Sequence, residues 1–400
     1  TRVRIQRENA PPTVRAHNER RPEKYMSRIL KYLTVGLIIL IFGIWIYLNR
    51  ERGNPVENFN YFHNTFNEKY ALFELKSIDW DSIYNYYSEK INEKTTDDEL
   101  FSILQEILSK LDDRHCYIYR FNQIYFSGFG LQDLNYLNLL SFDFRFKTED
   151  FSLKLIETKY LKKSFDKSLK VYSTLPPIGI RNIFTTGWLN DSIAYLHMTE
   201  MSNRANDVHN TIVEFHDKYK DAKGFVVDIR DNIGGYSLPV KELAEIFVEK
   251  ESIYAISRLR NSDSTNAFKE PEYWKIKPNT ERRISKKPIA MLINKNTQSA
   301  AELFTLMMKN VPNVKLIGSR TSGIFGDTQI GKLPNGWEYR LSVRKTNDAK
   351  DIPLEGIGIN PDKFIDNRKF IEINEDRVLE SAINYILTFN ETTEKNNYVP

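Results

Sequence analysis

The sequence predicts an α/β (α+β) core, preceded by an N-terminal helical domain and a single N-terminal transmembrane helix. Three observations predict this arrangement. From residue 191 onward, apolar strand-like runs alternate with amphipathic helical patterns, which is typical of an α/β core. Residues 54–112 carry aromatic and charged side chains at helical spacing, and seventeen uncharged residues run from Tyr32 to Leu48. With 400 residues and 41% hydrophobic content, the chain can bury a large core.

The uncharged run is at the short end of what spans a bilayer as a helix. Nine Lys/Arg residues precede it, whereas only Arg50 and Arg52 follow closely, so the positive-inside rule places the amino terminus in the cytoplasm. Because no small-residue cleavage site follows the run, an uncleaved signal anchor is favoured over a signal peptide. A buried core helix is the alternative interpretation. We therefore predict a basic cytoplasmic tail at 1–28 and a transmembrane anchor at 29–50.

This topology predicts a single-pass inner-membrane protein, in which the N-terminal helix has the lipid bilayer as its partner. The residues after the anchor are then periplasmic, or otherwise extracytoplasmic. The first 53 residues carry eleven Lys/Arg and four Asp/Glu, so the net charge of +4 becomes −3 for the remainder. A near-neutral remainder offers no basic face, which argues against nucleic-acid binding. Cys116 is the only cysteine, so no internal disulfide can form.

A helical N-terminal domain is predicted at 54–115. Its third helix begins with Thr96 or Asp97 as the cap, and its aromatic side chains are expected to form a core of their own. The helix ends at Leu111-Asp-Asp-Arg-His115, where a β-branched and aromatic run begins. An isolated histidine is usually structural, but His115 stands at a helix-to-strand junction, from which a ring can project into a cleft.

A β-rich connector is predicted at 116–190, with short strands at 139–146, 153–156 and 169–172. The α/β core follows at 191–390, and a polar tail at 391–400.

The first part of the core carries a strand at 191–197, a helix at 206–220 and a buried strand at 224–229. His209 and His216 share one face of that helix, but no third ligand stands at metal-binding spacing, so no metal site is expected there.

The loop that follows the buried strand reads Asp228-Ile-Arg-Asp-Asn-Ile-Gly-Gly235. Two glycines after a strand let the backbone turn sharply and direct N–H groups at a bound anion or oxyanion. The loop lacks the Gly-Lys-Ser/Thr of a P-loop, which argues against nucleotide binding. Asp228, Arg230 and Asn232 are expected to brace the loop.

A second strand-to-helix turn leads to Ser299, after the apolar run that starts at Ile289. A serine at the start of a helix has free N–H groups and the positive end of the helix dipole beside it, so an oxyanion would be stabilised there. However, Ser299-Ala-Ala-Glu302 also matches a capping box, in which the hydroxyl satisfies a backbone donor. The pattern by itself leaves the choice between nucleophile and cap open.

The rest of the core contains a strand at 314–318, a hairpin around Asn335-Gly336, a glycine-rich turn at 353–362 that carries Glu355, and a last helix at 376–387.

In order and spacing, these motifs resemble those of the C-terminal-processing and tricorn-type serine peptidase family, the tail-specific protease superfamily. The matching motifs are Leu-x-Asp-x-His, Asp-x-Arg-x-Asn-x-Gly-Gly, Thr-x-Ser-Ala-x-Glu, Ile-Gly-x-x-Thr-x-Gly and Glu-Gly-x-Gly-Ile-x-Pro-Asp. The resemblance implies a core of the ClpP/crotonase-like type, a peptide or unfolded protein as substrate, and no metal or cofactor. Residues 116–190 lack a clear complete PDZ module, which puts recognition of substrate C-termini in doubt.

The processing branch of this family activates its serine with a lysine, and Ile324 occupies that position here. The tricorn-type branch uses a histidine and a glutamate instead, and His115 and Glu355 fill both positions. The resemblance therefore implies Ser299 as nucleophile and His115 as general base and then acid. Glu355 would orient the imidazole, directly or through another polar group.

The same resemblance implies an oxyanion hole formed by the N–H of Gly234 or Gly235 and that of Ala300. Cys116 beside the histidine is a rival nucleophile, but neighbouring side chains on a strand point to opposite faces. We therefore expect a membrane-anchored, extracytoplasmic serine endopeptidase. The alternatives are a catalytically silent, anchored scaffold that binds peptides or apolar ligands, and an esterase or amidase of small substrates.

Overall fold

A computed structural model describes residues 21–48, 53–120, 123–127, 134–135, 150–161, 167–173, 179–202, 204–261, 268–284 and 286–396. The chain divides into two compact units between Arg52 and Gly53. The numbered helices are α1 (Arg21–Leu48), α2 (Pro55–Lys69), α3 (Trp80–Ser88), α4 (Asp97–Leu111), α5 (Ala205–Tyr219), α6 (Ser237–Glu245), α7 (Ala300–Met308), α8 (Arg368–Glu372) and α9 (Arg377–Asn396). A short unnumbered helical segment consists of Leu153–Leu155 and the π-helix Ile156–Tyr160.

The first unit contains α1, which includes most of the predicted anchor at 29–50. Within the described ranges, no helix combines the length and the apolar character needed to cross a membrane. The predicted transmembrane helix is therefore not supported by the structure.

The second unit contains three β-sheets. Their strands are β1 (Tyr117–Arg120), β2 (Gln123–Phe126), β3 (Leu134–Asn135), β4 (Lys167–Ser173), β5 (Gly179–Trp188), β6 (Ile193–Met198), β7 (Gly224–Asp228), β8 (Ser252–Leu259), β9 (Glu272–Ile276), β10 (Ile289–Ile293), β11 (Val314–Gly318), β12 (Thr328–Lys332), β13 (Glu338–Ser342), β14 (Arg344–Asp348) and β15 (Lys363–Phe364). The strand orders are β12-β13-β1-β2-β3, β15-β11-β10-β7-β6-β5-β4 and β14-β8-β9.

The seven-stranded sheet forms the centre of the α/β core. Strands β15, β11, β10, β7 and β6 are mutually parallel, and β5 and β4 extend the sheet in antiparallel pairing. Alternate residues of β7 enter different cores: Phe225 and Val227 pack with α5, α6 and α7, whereas Val226 packs with Leu379 and Ile386 of α9. A central strand buried on both faces needs an almost continuous apolar sequence, and Ile289–Ile293 provides one.

The helical region at 54–111 is stabilised by the predicted type of caps. Asn54 and Asp79 accept hydrogen bonds from the N–H groups of Glu57 and Ser82. Thr96 and Glu99 form a reciprocal capping box, so Thr96 is the cap and Asp97 is the first residue of α4.

The aromatic side chains of this region do not form a separate core, contrary to our expectation. Phe62, Phe66 and Trp80 share one buried cluster with Trp337 and Tyr339 of the β12–β13 hairpin region. The amphipathic helices present an apolar face that the five-stranded sheet covers, and sequence periodicity cannot specify which partner covers a face.

The structure differs from the predicted β-rich connector at 116–190 in two respects. Strands β4 and β5 belong to the seven-stranded sheet, so this stretch contributes to the core. Residues 153–160 are helical, not a strand, and Ser152 Oγ accepts the Leu155 N–H at 3.3 Å at the start of that segment. A short apolar run does not distinguish the two states by periodicity. The strand predicted at 139–146 lies outside the described residues.

The core elements predicted between 191 and 343 are present within a few residues of their expected bounds. The last helix continues to Asn396, beyond the predicted end at Leu387. The small sheet of β14, β8 and β9 was not predicted, because its strands lack a clear alternation of polar and apolar residues.

Candidate active site

Ser299 occupies a sharp turn between β10 and α7. Its backbone angles are φ 57° and ψ −124°, in a region that is favourable for glycine and unfavourable for a residue with a Cβ. Such strained conformations cost about 1–3 kcal/mol and persist only where the surroundings hold them. This conformation places the side chain of Ser299 at the start of the helix, beside the N–H groups of its first turn.

The hydroxyl of Ser299 faces His115, which lies 184 positions earlier in the chain. Ser299 Oγ and His115 Nε2 are 3.0 Å apart, a hydrogen-bond distance for a serine and a histidine base. The structure therefore brings together the two residues on which the sequence interpretation depended most.

His115 is held at the junction of α4 and β1. The helix stops at Asp112, which has a left-handed conformation. Asp113 Oδ1 accepts the His115 N–H at 2.9 Å, and Arg340 Nε donates to the His115 carbonyl oxygen at 2.6 Å. Both backbone groups of the histidine are thus fixed by buried or half-buried side chains.

Burial, together with a smaller effect of the nearby Arg340 cation, lowers the pKa of His115 to about 4, and the Asp113 carboxylate opposes this change. At neutral pH the imidazole is consequently uncharged and can accept a proton at Nε2.

Glu302 connects the nucleophile turn to the loop at 321–324. Its buried carboxylate accepts hydrogen bonds from the Ser299 N–H (3.1 Å), the Thr321 hydroxyl (2.5 Å), and the N–H groups of Gly323 and Ile324 (both 2.8 Å). Burial raises the pKa of Glu302 to about 7, and these hydrogen bonds oppose that rise. Sequence reasoning identified this residue only as the partner in a capping box and missed its contacts with the distant loop.

Glu355 is buried near the histidine, but it forms no direct hydrogen bond with His115. Its Oε2 accepts the N–H groups of Phe325 (2.6 Å) and Gly326 (3.1 Å). A Cβ built on Gly326 would lie 3.6 Å from His115 Nδ1 and 2.6 Å from Ser342 Oγ. Glu355 therefore holds the loop that lies against the imidazole, and among the described residues His115 Nδ1 has no hydrogen-bond partner.

Burial and the charge of Asp113 raise the pKa of Glu355 to about 8. Near neutral pH, Glu355 is thus largely a neutral carboxylic acid, and it does not place a full negative charge behind the imidazole.

The double-glycine loop packs against the nucleophile turn. A Cβ on Gly234 would be 2.8 Å from Ser299 Cβ and 2.9 Å from the Ala300 nitrogen, so only glycine permits this approach. The Gly234 N–H donates to Asn232 Oδ1 at 2.9 Å, whereas the N–H groups of Gly235 and Ala300 make no hydrogen bond within the described part of the chain. Of the predicted oxyanion donors, Gly235 and Ala300 are therefore the two that are available.

The residues expected to brace this loop do so. Arg230 pairs with Asp228 (2.6 Å) and with Asp376 at the start of α9 (2.9 Å), and all three side chains are buried. Asn232 Nδ2 donates to the Met198 carbonyl oxygen at 3.0 Å.

Among the described residues, the remaining sequence candidates make no hydrogen bond with Ser299. Ile324, at the position of the family lysine, is buried. Cys116 Sγ contacts Asp113 Oδ2 at 3.4 Å, and burial raises the thiol pKa well above its usual value. His209 Nδ1 lies 2.9 Å from Glu242 Oε2, and His216 Nδ1 lies 2.9 Å from Asp217 Oδ1.

Comparison with known protein families gives two matches. The model of peptidase family S41 matches residues 192–364, and that of the tricorn protease C1 domain matches residues 54–109. The first range contains Ser299, Glu302 and Glu355. The second range ends just before the junction that carries His115.

Similar curated proteins include the nisin-resistance protein of Lactococcus lactis subsp. lactis, 30% identical over 36% of this chain and 47% of that protein. The carboxy-terminal processing protease CtpA of Bacillus subtilis (strain 168) is 32% identical over 34% of this chain and 28% of that protein. The matches thus span less than half the length of these relatives.

Among solved structures, a Parabacteroides merdae ATCC 43184 protein superposes with a TM-score of 0.67 at 24% identity, covering 84% of this chain and 97% of that one. Mature CPAF complexed with lactacystin gives a TM-score of 0.55 at 12% identity, covering 84% and 99%. At 24% and 12% sequence identity, these superpositions show a similar fold.

The raised pKa of Glu355 leads to a prediction about stability. A carboxyl whose pKa is about 8 when folded and about 4.5 when unfolded binds more protons in the folded state between those values. Wild-type stability should therefore fall, relative to Glu355→Gln, as the pH rises from about 4.5 to about 8. Urea unfolding of both proteins at pH 5 and pH 8 measures this difference, and a difference that does not change with pH would contradict the assignment.

Proposed function

Because the chain belongs to peptidase family S41, we propose that it is a serine peptidase that cleaves peptides or unfolded proteins through an acyl-enzyme intermediate. The observation that carries this proposal is the 3.0 Å contact between Ser299 Oγ and His115 Nε2. The proposal also places the chain in the Ser/His/Glu branch of the family, since Ile324 stands where the other branch has its lysine.

In the first step, Ser299 Oγ attacks the carbonyl carbon of the scissile peptide bond while His115 Nε2 takes the hydroxyl proton. A neutral imidazole is required for this transfer, and the burial of His115 keeps it neutral. The negative charge that develops on the substrate oxygen is stabilised by the N–H groups of Gly235 and Ala300, which have no competing acceptor within the described residues.

In the second step, His115 returns the proton to the leaving amine, and the peptide bond breaks to give an ester on Ser299. Water then attacks this ester with His115 again acting as base, which releases the acid product and restores the hydroxyl. Asp113 supports the transient imidazolium by its negative charge. Glu355 acts through the backbone at Phe325 and Gly326, because this loop lies against the imidazole.

The first test uses a fluorophosphonate probe, which labels activated serines, and a peptide hydrolysis assay. Ser299→Ala and His115→Ala should each abolish labelling and lower kcat by roughly a thousandfold or more, because the nucleophile and its base act as a unit.

Cys116→Ala is the matched control, because Cys116 is the buried neighbour of His115 and should be dispensable for labelling. Undiminished hydrolysis by Ser299→Ala would refute the proposal. Absence of labelling in folded wild-type protein would instead favour a catalytically silent scaffold that binds peptides.

The pH dependence provides a second test. The base is active only when neutral, so kcat/KM should be maintained as the pH falls through 6.5 and should decrease only near the His115 pKa of about 4. The measurement is kcat/KM between pH 3.5 and 8, with circular dichroism at each pH to confirm folding. An acid limb near pH 6.5 in folded protein would show that His115 is not held in the environment described.

We further propose an extracytoplasmic location for residues 54–396, with the amino terminus in the cytoplasm. The sequence supports this proposal through nine Lys/Arg residues before the uncharged run at 32–48 and only two closely after it.

A reporter fused after residue 60 should be active only outside the cytoplasm. Replacing the basic residues before the run by Gln should weaken that orientation. A reporter that is active in the cytoplasm in the unmodified protein would exclude this topology.

A further inference from the structure

We propose that Arg340 is a positioning residue for His115, which it holds through the histidine carbonyl group. This inference rests on the proposed function, in which His115 is the general base. Arg340 lies outside every motif identified in the sequence, and its role follows from the packing of two strands that are distant in the chain.

The contact arises from the register of β13 against β1. The strands are antiparallel, and Tyr117 lies directly opposite Arg340. From this position Arg340 Nε donates to the His115 carbonyl oxygen at 2.6 Å, and the guanidinium lies 4.8 Å from the centre of the Tyr117 ring. A planar guanidinium stacked on an aromatic ring has few alternative orientations, so the donor is directed at one acceptor.

The same strand fixes the other side of the histidine. Ser342, two residues beyond Arg340, donates its hydroxyl to Asp113 Oδ2 at 2.7 Å, and Asp113 Oδ1 accepts the His115 N–H at 2.9 Å. Strand β13 itself is tied to the helical region, because the Ala71 N–H donates to the Ser342 carbonyl oxygen at 2.9 Å. Consequently, one strand restrains both the N–H and the C=O of His115.

This restraint affects the distance between His115 Nε2 and Ser299 Oγ. His115 Nε2 must stay at 3.0 Å from Ser299 Oγ, and a displacement of about 1 Å in such a pair can reduce the rate roughly a hundredfold. The imidazole has no hydrogen bond at Nδ1 within the described residues, so its position depends on the backbone contacts of His115 and on packing.

Among the described residues, two charged groups change the pKa of His115: the Arg340 cation lowers it, and the Asp113 carboxylate raises it. The further titratable groups around the Asp113–His115 turn include the exposed Asp112 and Arg114. They also include the buried Tyr70, Cys116 and Glu355, and burial favours the neutral form of these three. The guanidinium therefore disfavours the imidazolium and helps to keep the base neutral in acid.

The two effects of Arg340 can be separated by substitution. Arg340→Met removes both the charge and the hydrogen bond, whereas Arg340→Lys keeps the charge but loses the planar donor. We expect Arg340→Met to lower kcat by roughly tenfold or more with KM changed less than about twofold, and to move the acid limb of kcat/KM upward by about one pH unit. Arg340→Lys should lower kcat but leave the acid limb near its wild-type position.

Arg120→Met is the matched control. Arg120 lies at the end of β1 and also stacks on aromatic rings, those of Phe101 and Trp337, but it makes no contact with His115 in the described part of the chain. This variant should retain the wild-type kcat and acid limb. If Arg340→Met behaves like Arg120→Met, the inference is wrong.

An NMR titration of His115 separates this inference from the proposed function. The titration uses Ser299→Ala protein, with and without Arg340→Met, and the signal is assigned by its loss in His115→Gln; the chain has only six histidines. A rise of about one unit in the His115 pKa upon removal of Arg340 would support the inference even if no peptide is hydrolysed. An unchanged pKa would refute the electrostatic part. If Arg340→Met does not fold, Arg340→Gln and Arg340→Lys serve in its place.

Discussion

The candidate site depends on the burial of one carboxylate, that of Glu302. Four donors from two chain segments converge on it, and they include the Ser299 N–H. A buried carboxylate is tolerated only when it is well hydrogen-bonded, so the segments that supply these donors are held where Glu302 requires them. This constraint maintains the strained conformation of Ser299 and fixes the start of the loop that continues to Gly326.

The site is assembled from two sheets. Ser299 and the double-glycine loop follow parallel strands of the seven-stranded sheet, at the end of such a sheet where sites commonly form. His115 and Arg340 belong to the five-stranded sheet and its junction with the helical region. Ser299 and His115 therefore meet only if the helices, the hairpin and the central sheet pack correctly. The helical region consequently contributes to the position of His115 as well as to stability.

Burial determines the electrostatics of the site more than net charge does. Burial lowers the pKa of His115 to about 4 and raises those of Glu302 and Glu355 to about 7 and 8. These shifts keep the base uncharged and reduce the number of negative charges in a small buried volume. Hydrogen bonds distinguish the two glutamates: Glu302 holds the turn at Ser299, whereas Glu355 holds the loop that lies against the imidazole.

The sequence by itself determined the features that local patterns encode: the helix caps, the buried strands, the hairpin, and the turns that carry Ser299, Gly234-Gly235 and His115. The order and spacing of the family motifs added Glu355 to the candidate site residues. Only the tertiary structure decided that Ser299 Oγ faces His115, that Glu355 contacts the loop backbone and not the imidazole, and that the Gly234 N–H is bonded to Asn232. Sequence patterns predicted the contact of Glu302 with the Ser299 N–H, but not its contacts with the loop at 321–324 or the contact of Arg340 with His115. The physical reason is that hydrophobic periodicity and turn chemistry act over a few residues, whereas these contacts join segments up to 225 positions apart and arise when whole sheets pack.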